Sequence, residues 1–91
     1  MVIKFKKEWV GGEYAGEYFL NTYFLSEHVQ NKLCNGKVYL SFKSGKKRSL
    51  VGGVLTGRIE EQYCNGGFYS GYTIEFYFRP TNVEKFTRLT K

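Results

Sequence analysis

The chain contains no aspartate, one histidine, one proline and two cysteines among its 91 residues, and these shortages argue against several kinds of site. A structural zinc site needs four ligands, usually in closely spaced pairs, whereas Cys34, Cys64 and His28 are three scattered groups. Acid–base catalysis needs two carboxyl groups in different environments, but the adjacent Glu60 and Glu61 would point to opposite faces of a strand. We therefore expect no metal, no cofactor and no enzymatic activity.

Long apolar runs are also missing from the chain. Lys4, Lys6 and Lys7 interrupt the N-terminal segment at once, which argues against a secretory signal. No stretch approaches the roughly 20 apolar residues that a membrane-spanning helix needs. We therefore expect a cytoplasmic protein without membrane contact, in which Cys34 and Cys64 remain free thiols.

Aromatic residues and glycine are abundant, at 19% of the chain and 11 residues respectively. A hydrophobic content of 42% without a long polar tract argues for a folded chain, and the length fits one domain over residues 1–91. Apolar and polar residues alternate over residues 38–43, which is the pattern of a half-buried strand. Asn65-Gly66-Gly67 lies between two β-rich segments and predicts a hairpin turn.

These signals predict a mainly β fold, with α+β as a variant. Residues 38–59, a strand, a turn at Gly45 and a glycine-bent strand, resemble the start of an SH3-like or Sm-like small barrel. Glycines inside a strand commonly mark bulges or bends, so Gly52, Gly53 and Gly57 predict a curled sheet. The expected architecture is a small curled antiparallel sheet, or an SH3-like or OB-like barrel, of about five or six strands with one or two short helices.

Local signals predict the boundaries of several elements. The alternation over residues 2–10 predicts one strand ended by the glycine pair at 11 and 12. Ser26 is a predicted N-cap for a helix over residues 28–34, and Thr81 opens a capping box before a C-terminal helix. Residues 13–25 have the composition of a strand, and a helix over residues 15–33 is the alternative.

The formal net charge is +6, and the positive charge is concentrated in residues 31–58, which carry seven cations and no acid. Basic surfaces attract polyanions, so this segment predicts a nucleic-acid-binding module, with a merely solvated basic face as the alternative. Exposed rings between cations allow bases to stack, as in single-strand binders, and Tyr39 and Tyr69 are the candidates for that role. The candidate phosphate contacts are Lys43, Lys46, Lys47, Arg48 and Arg58.

A second hypothesis is protein recognition through residues 13–25, which are acidic and rich in aromatic rings. In that case the chain would be a small inhibitor or adaptor, encoded by a phage or mobile element. Its target would be a nucleic-acid-handling host protein such as a CRISPR or other defence protein. An edge strand left open could also pair two copies into a homodimer. The candidate interaction residues are Tyr14, Tyr18, Tyr23 and Phe24.

Overall fold

A computed structural model describes residues 1–23, 25–33, 36–63 and 70–91. It contains a six-stranded sheet, one 3-10 turn and two short helices. The elements are β1 (Val2–Phe5), the 3-10 turn (Lys7–Trp9), β2 (Val10–Tyr14), β3 (Glu17–Leu20), α1 (Glu27–Lys32), β4 (Gly36–Ser44), β5 (Lys47–Tyr63), β6 (Ser70–Pro80) and α2 (Val83–Thr90). The predicted mainly β fold is confirmed.

The strands run in the order β1-β4-β5-β6-β3-β2. Every neighbouring pair is antiparallel except β1 and β4, which are parallel, so the sheet is mixed and not purely antiparallel as predicted. The described strands do not close into a barrel, because β1 and β2 remain as edges. β1 is short and the register of β2 is irregular, two features that discourage pairing at an edge.

The sheet is nevertheless strongly curled. β1 and β2 lie at opposite ends of the strand order, yet only residues 6–9 connect them. A link this short spans at most about 18 Å even when extended, so the two edges must approach each other. The curl gives the sheet a concave face, which holds the core, and a convex face, which is open to solvent.

The core is a cluster of aliphatic and aromatic side chains covered by α2. Phe86 of α2 is fully buried, and its ring centroid lies 4.5 Å from that of Tyr18, 5.5 Å from Phe78 and 6.2 Å from Phe42. α2 thereby closes the concave face. The buried apolar residues are Phe5, Leu20, Leu33, Val38, Leu40, Phe42, Val51, Leu55, Phe76, Phe78 and Phe86.

Glycines in β5 make room for rings and do not mark bulges, because the pairing of β5 with β4 and β6 is continuous through them. A Cβ added at Gly53 would lie 2.5 Å from both the Arg79 carbonyl oxygen and Cζ of Phe78. At Gly57 it would lie 3.1 Å from Cε1 of Phe76. These glycines let the largest core rings lie directly against the strand.

The prediction of a single strand over residues 2–10 is wrong. The chain leaves the sheet after β1, makes the 3-10 turn and re-enters the sheet as β2 at the far edge. Gly11 lies inside β2 and does not end a strand. A Cβ added there would meet Cδ1 of Phe19 at 2.8 Å, so the glycine lets the Phe19 side chain approach the strand. The register shift between Val10 and Glu13 lies at the same place.

The helix predictions are mostly confirmed. The Ser26 hydroxyl accepts from the Val29 amide at 3.2 Å and caps α1. The alternative of a helix over residues 15–33 is wrong, and only β3 is a strand within residues 15–23. The N-cap of α2 is Asn82 and not Thr81, since its side chain accepts from the Lys85 amide at 3.1 Å.

β5 and β6 extend beyond the rest of the sheet as a two-stranded ribbon. Residues 59–63 pair with residues 70–74, and no third strand of the described chain pairs with either segment. The ribbon contributes to a long axis of 48 Å, against 27 and 23 Å across. The predicted turn at Asn65-Gly66-Gly67 lies outside the described residues, as do Cys34 and Cys64.

Candidate nucleic-acid interface

The turn between β4 and β5 presents the cations that the sequence singled out. Gly45 allows the tight reversal, since its φ of 62° lies in the left-handed region that favours glycine. Ser44 then pairs with Lys47, and Lys43 pairs with Arg48. Lys43, Lys46 and Lys47 are exposed, and none has an ion pair among the described residues.

A groove of about 630 Å³ lies beside this turn and is lined by cations from three separate parts of the chain. One wall comes from the segment after β1, the second from the end of β4 and the third from the end of α2. The segment after β1 arrives there because Phe5 pairs with Phe42, and Leu89 of α2 packs against the core. The groove's cations are Lys6, Lys7, Lys43, Arg88 and Lys91.

The turn and the groove form one continuous surface, which we name the basic end. It gathers more than half of the 14 cationic side chains of the protein. Among the described residues, Glu8 is the one acid that lines the groove. So many cations beside a single acid produce a strongly positive local potential. The basic end consists of Lys6, Lys7, Lys43, Lys46, Lys47, Arg48, Arg88 and Lys91.

Arg48 differs from its neighbours because its side chain is held against β4. Its Nη1 donates to the Ser41 hydroxyl at 3.2 Å and to the Ser41 carbonyl at 3.4 Å. Ser41 is itself buried. Arg48 therefore keeps its charge but presents it in a fixed direction, lying along the convex face.

Tyr39 lies on the convex face, on the same side of β4 as Lys43. It pairs with Gly52, and a Cβ added there would lie 3.0 Å from Cε1 and 3.2 Å from Cδ1 of the tyrosine ring. One edge of the ring therefore sits directly over β5, and 48% of the residue stays exposed. Tyr69, the other predicted stacking residue, lies outside the described residues.

Arg58 does not join the basic end. It lies ten residues along β5 from Arg48, which corresponds to up to about 33 Å of strand. Its Nη2 donates to Oε2 of Glu17 at 2.6 Å, and its guanidinium lies 4.2 Å from the centre of the Tyr77 ring. Arg79 donates to the other oxygen of Glu17 at 3.4 Å.

These groups form a second charged region, which we name the Glu17 network: Glu17, Arg58, Glu75, Tyr77 and Arg79. The Tyr77 hydroxyl completes it by donating to Oε2 of Glu75 at 2.8 Å. Two acids balance two arginines, so the network is neutral. The candidate phosphate contact at Arg58 is thus already paired within the protein.

The aromatic residues predicted for protein recognition are separated by the fold. Tyr14 and Tyr23 are 85% and 81% exposed. Tyr18 is half-buried and packs against Phe86, so its ring lies at the border of the core. Phe24 lies outside the described residues. Among the described residues of the predicted set, Tyr14 and Tyr23 have the most exposed rings.

Sequence reasoning missed half of the basic end, namely Lys6, Lys7, Arg88 and Lys91. The first two belong to a lysine-rich N-terminal segment, which was a usable signal. The last two lie in and after the final turn of α2, where cations are ordinary because they stabilise a helix C-terminus. Only the topology shows that these residues converge on the β4–β5 turn.

Comparison with protein families, with curated proteins and with solved structures yields no match to this chain. Within the described ranges, no group of three or more His, Cys, Asp or Glu side chains is placed to hold a metal ion. None of the helices described is long and apolar enough to cross a membrane. His28 is exposed on α1.

Proposed function

We propose that this protein binds nucleic acid, without catalysis, through the basic end. The observation that supports this proposal is the groove, in which cations from the N-terminal segment, the β4–β5 turn and α2 meet. Lysines and arginines that are not paired within the protein are available to phosphates. Three separate parts of the chain contribute cations to this surface. Its positive charge is therefore not the result of a single lysine-rich stretch of sequence.

The energetic basis of such binding is the release of counterions. Each phosphate that a lysine or arginine neutralises frees condensed cations from the nucleic acid, and affinity therefore falls as salt rises. The log–log slope of affinity against salt changes by about 0.7 to 0.9 for each contact. The slope thus reports how many cations contact phosphate. An affinity measured at one salt concentration does not give that number.

The test is fluorescence anisotropy of a labelled oligonucleotide, titrated with the protein over a series of salt concentrations. We expect measurable binding at low salt with a steep salt dependence. Lys46→Glu at the tip of the turn should weaken binding several-fold and reduce the slope by about one contact, or 0.7 to 0.9. No binding at low salt to any DNA or RNA probe would overturn the proposal.

Lys32→Glu is the matched control. Lys32 is exposed at the end of α1, outside the basic end, and its substitution changes the net charge by the same two units. Affinity should stay within about twofold of the unaltered protein if contacts are local. Equal losses for Lys46→Glu and Lys32→Glu would mean that only the total charge matters.

The exposure of Tyr14 and Tyr23 favours a second candidate function, an inhibitor or adaptor that binds a nucleic-acid-handling protein. Exposed tyrosines are common anchors of protein interfaces. This candidate includes the hypothesis of a phage or mobile-element protein directed at host defence. The test is affinity capture from the source cell: a partner lost with Tyr14→Ser/Tyr23→Ser but kept with Lys46→Glu would support it.

A further inference from the structure

We propose that the nucleic acid is single-stranded, with an unpaired base resting on the convex face at Tyr39. This inference rests on the proposed function and specifies the class of ligand. The observation that supports it is an exposed apolar surface beside the basic end, on a part of the described sheet that has no acidic residue. Phosphate binding alone would not require that surface.

The apolar surface consists of four exposed side chains from three adjacent strands, and we name it the Tyr39 platform: Val2, Tyr39, Leu50 and Val54. Val2 pairs with Tyr39, and Tyr39 pairs with Gly52. Leu50 and Val54 lie two residues before and after that glycine, on the same face of β5. The tyrosine is therefore surrounded by aliphatic groups on the open side of the sheet.

Gly52 leaves room for the Tyr39 ring. A Cβ at this position would lie 3.0 Å from Cε1 of the ring, so the ring would have to move by a few tenths of an ångström. The backbone at this glycine is also fixed, because its carbonyl accepts from both the amide and the hydroxyl of Thr81 at 3.0 Å. The platform is thus formed in advance on a regular part of the sheet, which lowers the entropic cost of binding.

Cations flank the platform along β4. Lys37 and Lys43 lie on the same face of the strand as Tyr39, about 7 and 14 Å away along the backbone. Lys43 also lines the groove of the basic end, so the platform and the groove share a residue. The convex side of β1, β4 and the first half of β5 carries no acid among the described residues.

These two chemistries together identify the ligand. The cations favour a ligand that carries negative charge. The Tyr39 ring and its aliphatic neighbours favour a ligand that also has a flat apolar surface. A single strand offers both, because its bases can turn out and stack on aromatic side chains while its phosphates meet lysines. A duplex keeps its bases stacked inside, so it could use the basic end but not the platform.

The experiment compares three probes by fluorescence anisotropy: single-stranded oligothymidine of about 12 nucleotides, a duplex of equal length, and heparin, which has charge but no bases. Tyr39→Ala should weaken binding of the single strand about 5- to 100-fold and leave the salt slope unchanged. Tyr39→Phe keeps the ring and should stay within about twofold. Duplex and heparin binding should not respond to either variant.

A second measurement uses the unaltered protein, so its outcome does not depend on whether a variant folds. Ultraviolet crosslinking of the unaltered protein to a bromodeoxyuridine-containing single strand, followed by peptide mass spectrometry, should identify Tyr39 or its direct neighbours. Crosslinks confined to the basic end would overturn the inference. So would equal responses of single strand, duplex and heparin to Tyr39→Ala. Either result leaves the proposed function intact, since that function depends on salt-sensitive binding at Lys46. Binding of a protein partner that is lost with Tyr39→Ala, without any oligonucleotide binding, would overturn both proposals.

Discussion

The basic end and the Glu17 network both contain arginine or lysine on the curled sheet, but they differ in how the charge is compensated. In the network, one carboxylate accepts from two guanidinium groups, and a tyrosine ring lies beneath one of them. In the basic end, the lysines of the turn have no ion pair among the described residues. The number of cations in a segment therefore does not measure the charge that is available to a ligand.

The largest expected effect concerns α2, which carries Arg88 to the basic end. Phe86 anchors this helix, and Phe86→Ala should lower the free energy of unfolding by about 3 to 5 kcal/mol, because it leaves a cavity among core rings. Urea denaturation measures the change. Val83→Ala is the control on the same helix; Val83 is 52% exposed, and a change of about 0.5 kcal/mol or less is expected. A loss below about 1 kcal/mol for Phe86→Ala would mean that α2 is not fixed against the body.

The next largest effect is expected from a variant that leaves the arginines of the Glu17 network without an ion pair, like the lysines of the basic end. Glu17→Gln removes the carboxylate charge that holds Arg58 and Arg79, and so frees two cations on the convex face. We expect tighter polyanion binding, with a salt slope steeper by up to two contacts, or about 1.4 to 1.8. The stability cost should be small, since both arginines are largely exposed and surface ion pairs contribute about 0 to 1 kcal/mol.

An unchanged slope for Glu17→Gln would show that the network lies outside the reach of the ligand. Glu13→Gln serves as the control, because Glu13 is exposed, its carboxylate accepts from the Gly16 amide at 2.9 Å, and it has no ion pair among the described residues. It removes the same charge without releasing an arginine. A similar gain in affinity for both variants would attribute the effect to net charge.

A smaller effect is expected when the salt slopes of two variants are compared, one that removes a cation without an ion pair and one that removes an ion-paired cation. Lys43→Gln and Arg79→Gln each remove one positive charge from the convex side of the sheet. Lys43 has no ion pair in the described structure, whereas Arg79 contacts Glu17. The salt slope should fall by about 0.7 to 0.9 for Lys43→Gln and stay unchanged for Arg79→Gln. Equal slopes for the two variants would contradict the distinction drawn above.

The smallest effect concerns Arg48, which is in the basic end but bound to Ser41. Ser41→Ala removes the buried hydroxyl that accepts from the guanidinium at 3.2 Å. The free energy of unfolding should fall by about 0.5 to 1.5 kcal/mol, while affinity for the oligonucleotide changes by less than about twofold. Ser44→Ala is a stability control, since Ser44 is exposed on the same strand, and it should leave the free energy of unfolding unchanged. A large loss of affinity for Ser41→Ala would mean that the orientation of Arg48 matters for binding.

Features of the fold that depend on neighbours in sequence could be predicted. The alternation in β4, the turn at Gly45 and the N-cap at Ser26 all have local physical causes. The parallel pairing of β1 with β4 has no such signal. Its partners are far apart in the chain, and a half-buried strand has the same alternation whichever strand it joins.

The same distinction applies to the candidate site. Lys46 and Lys47 could be identified because they are consecutive in a predicted turn. The pairing of Arg58 with Glu17 could not, since it joins residues 41 positions apart. The role of Gly52 also has no local signal. A glycine inside a strand predicts a bend, whereas in the structure Gly52 lies directly against the Tyr39 ring.

The order of strands in the sheet also determines when the protein can complete its fold during synthesis. β4, β5 and β6 are consecutive and form the centre, so they can pair as soon as they leave the ribosome. β1 must wait for β4, and β3 must wait for β6 near the end of the chain. β3 is thus made early and seated late, whereas β1 can pair once β4 is made. Nascent chains halted before residue 70 should therefore leave residues 17–20 open to proteolysis, and chains that include β6 should protect them.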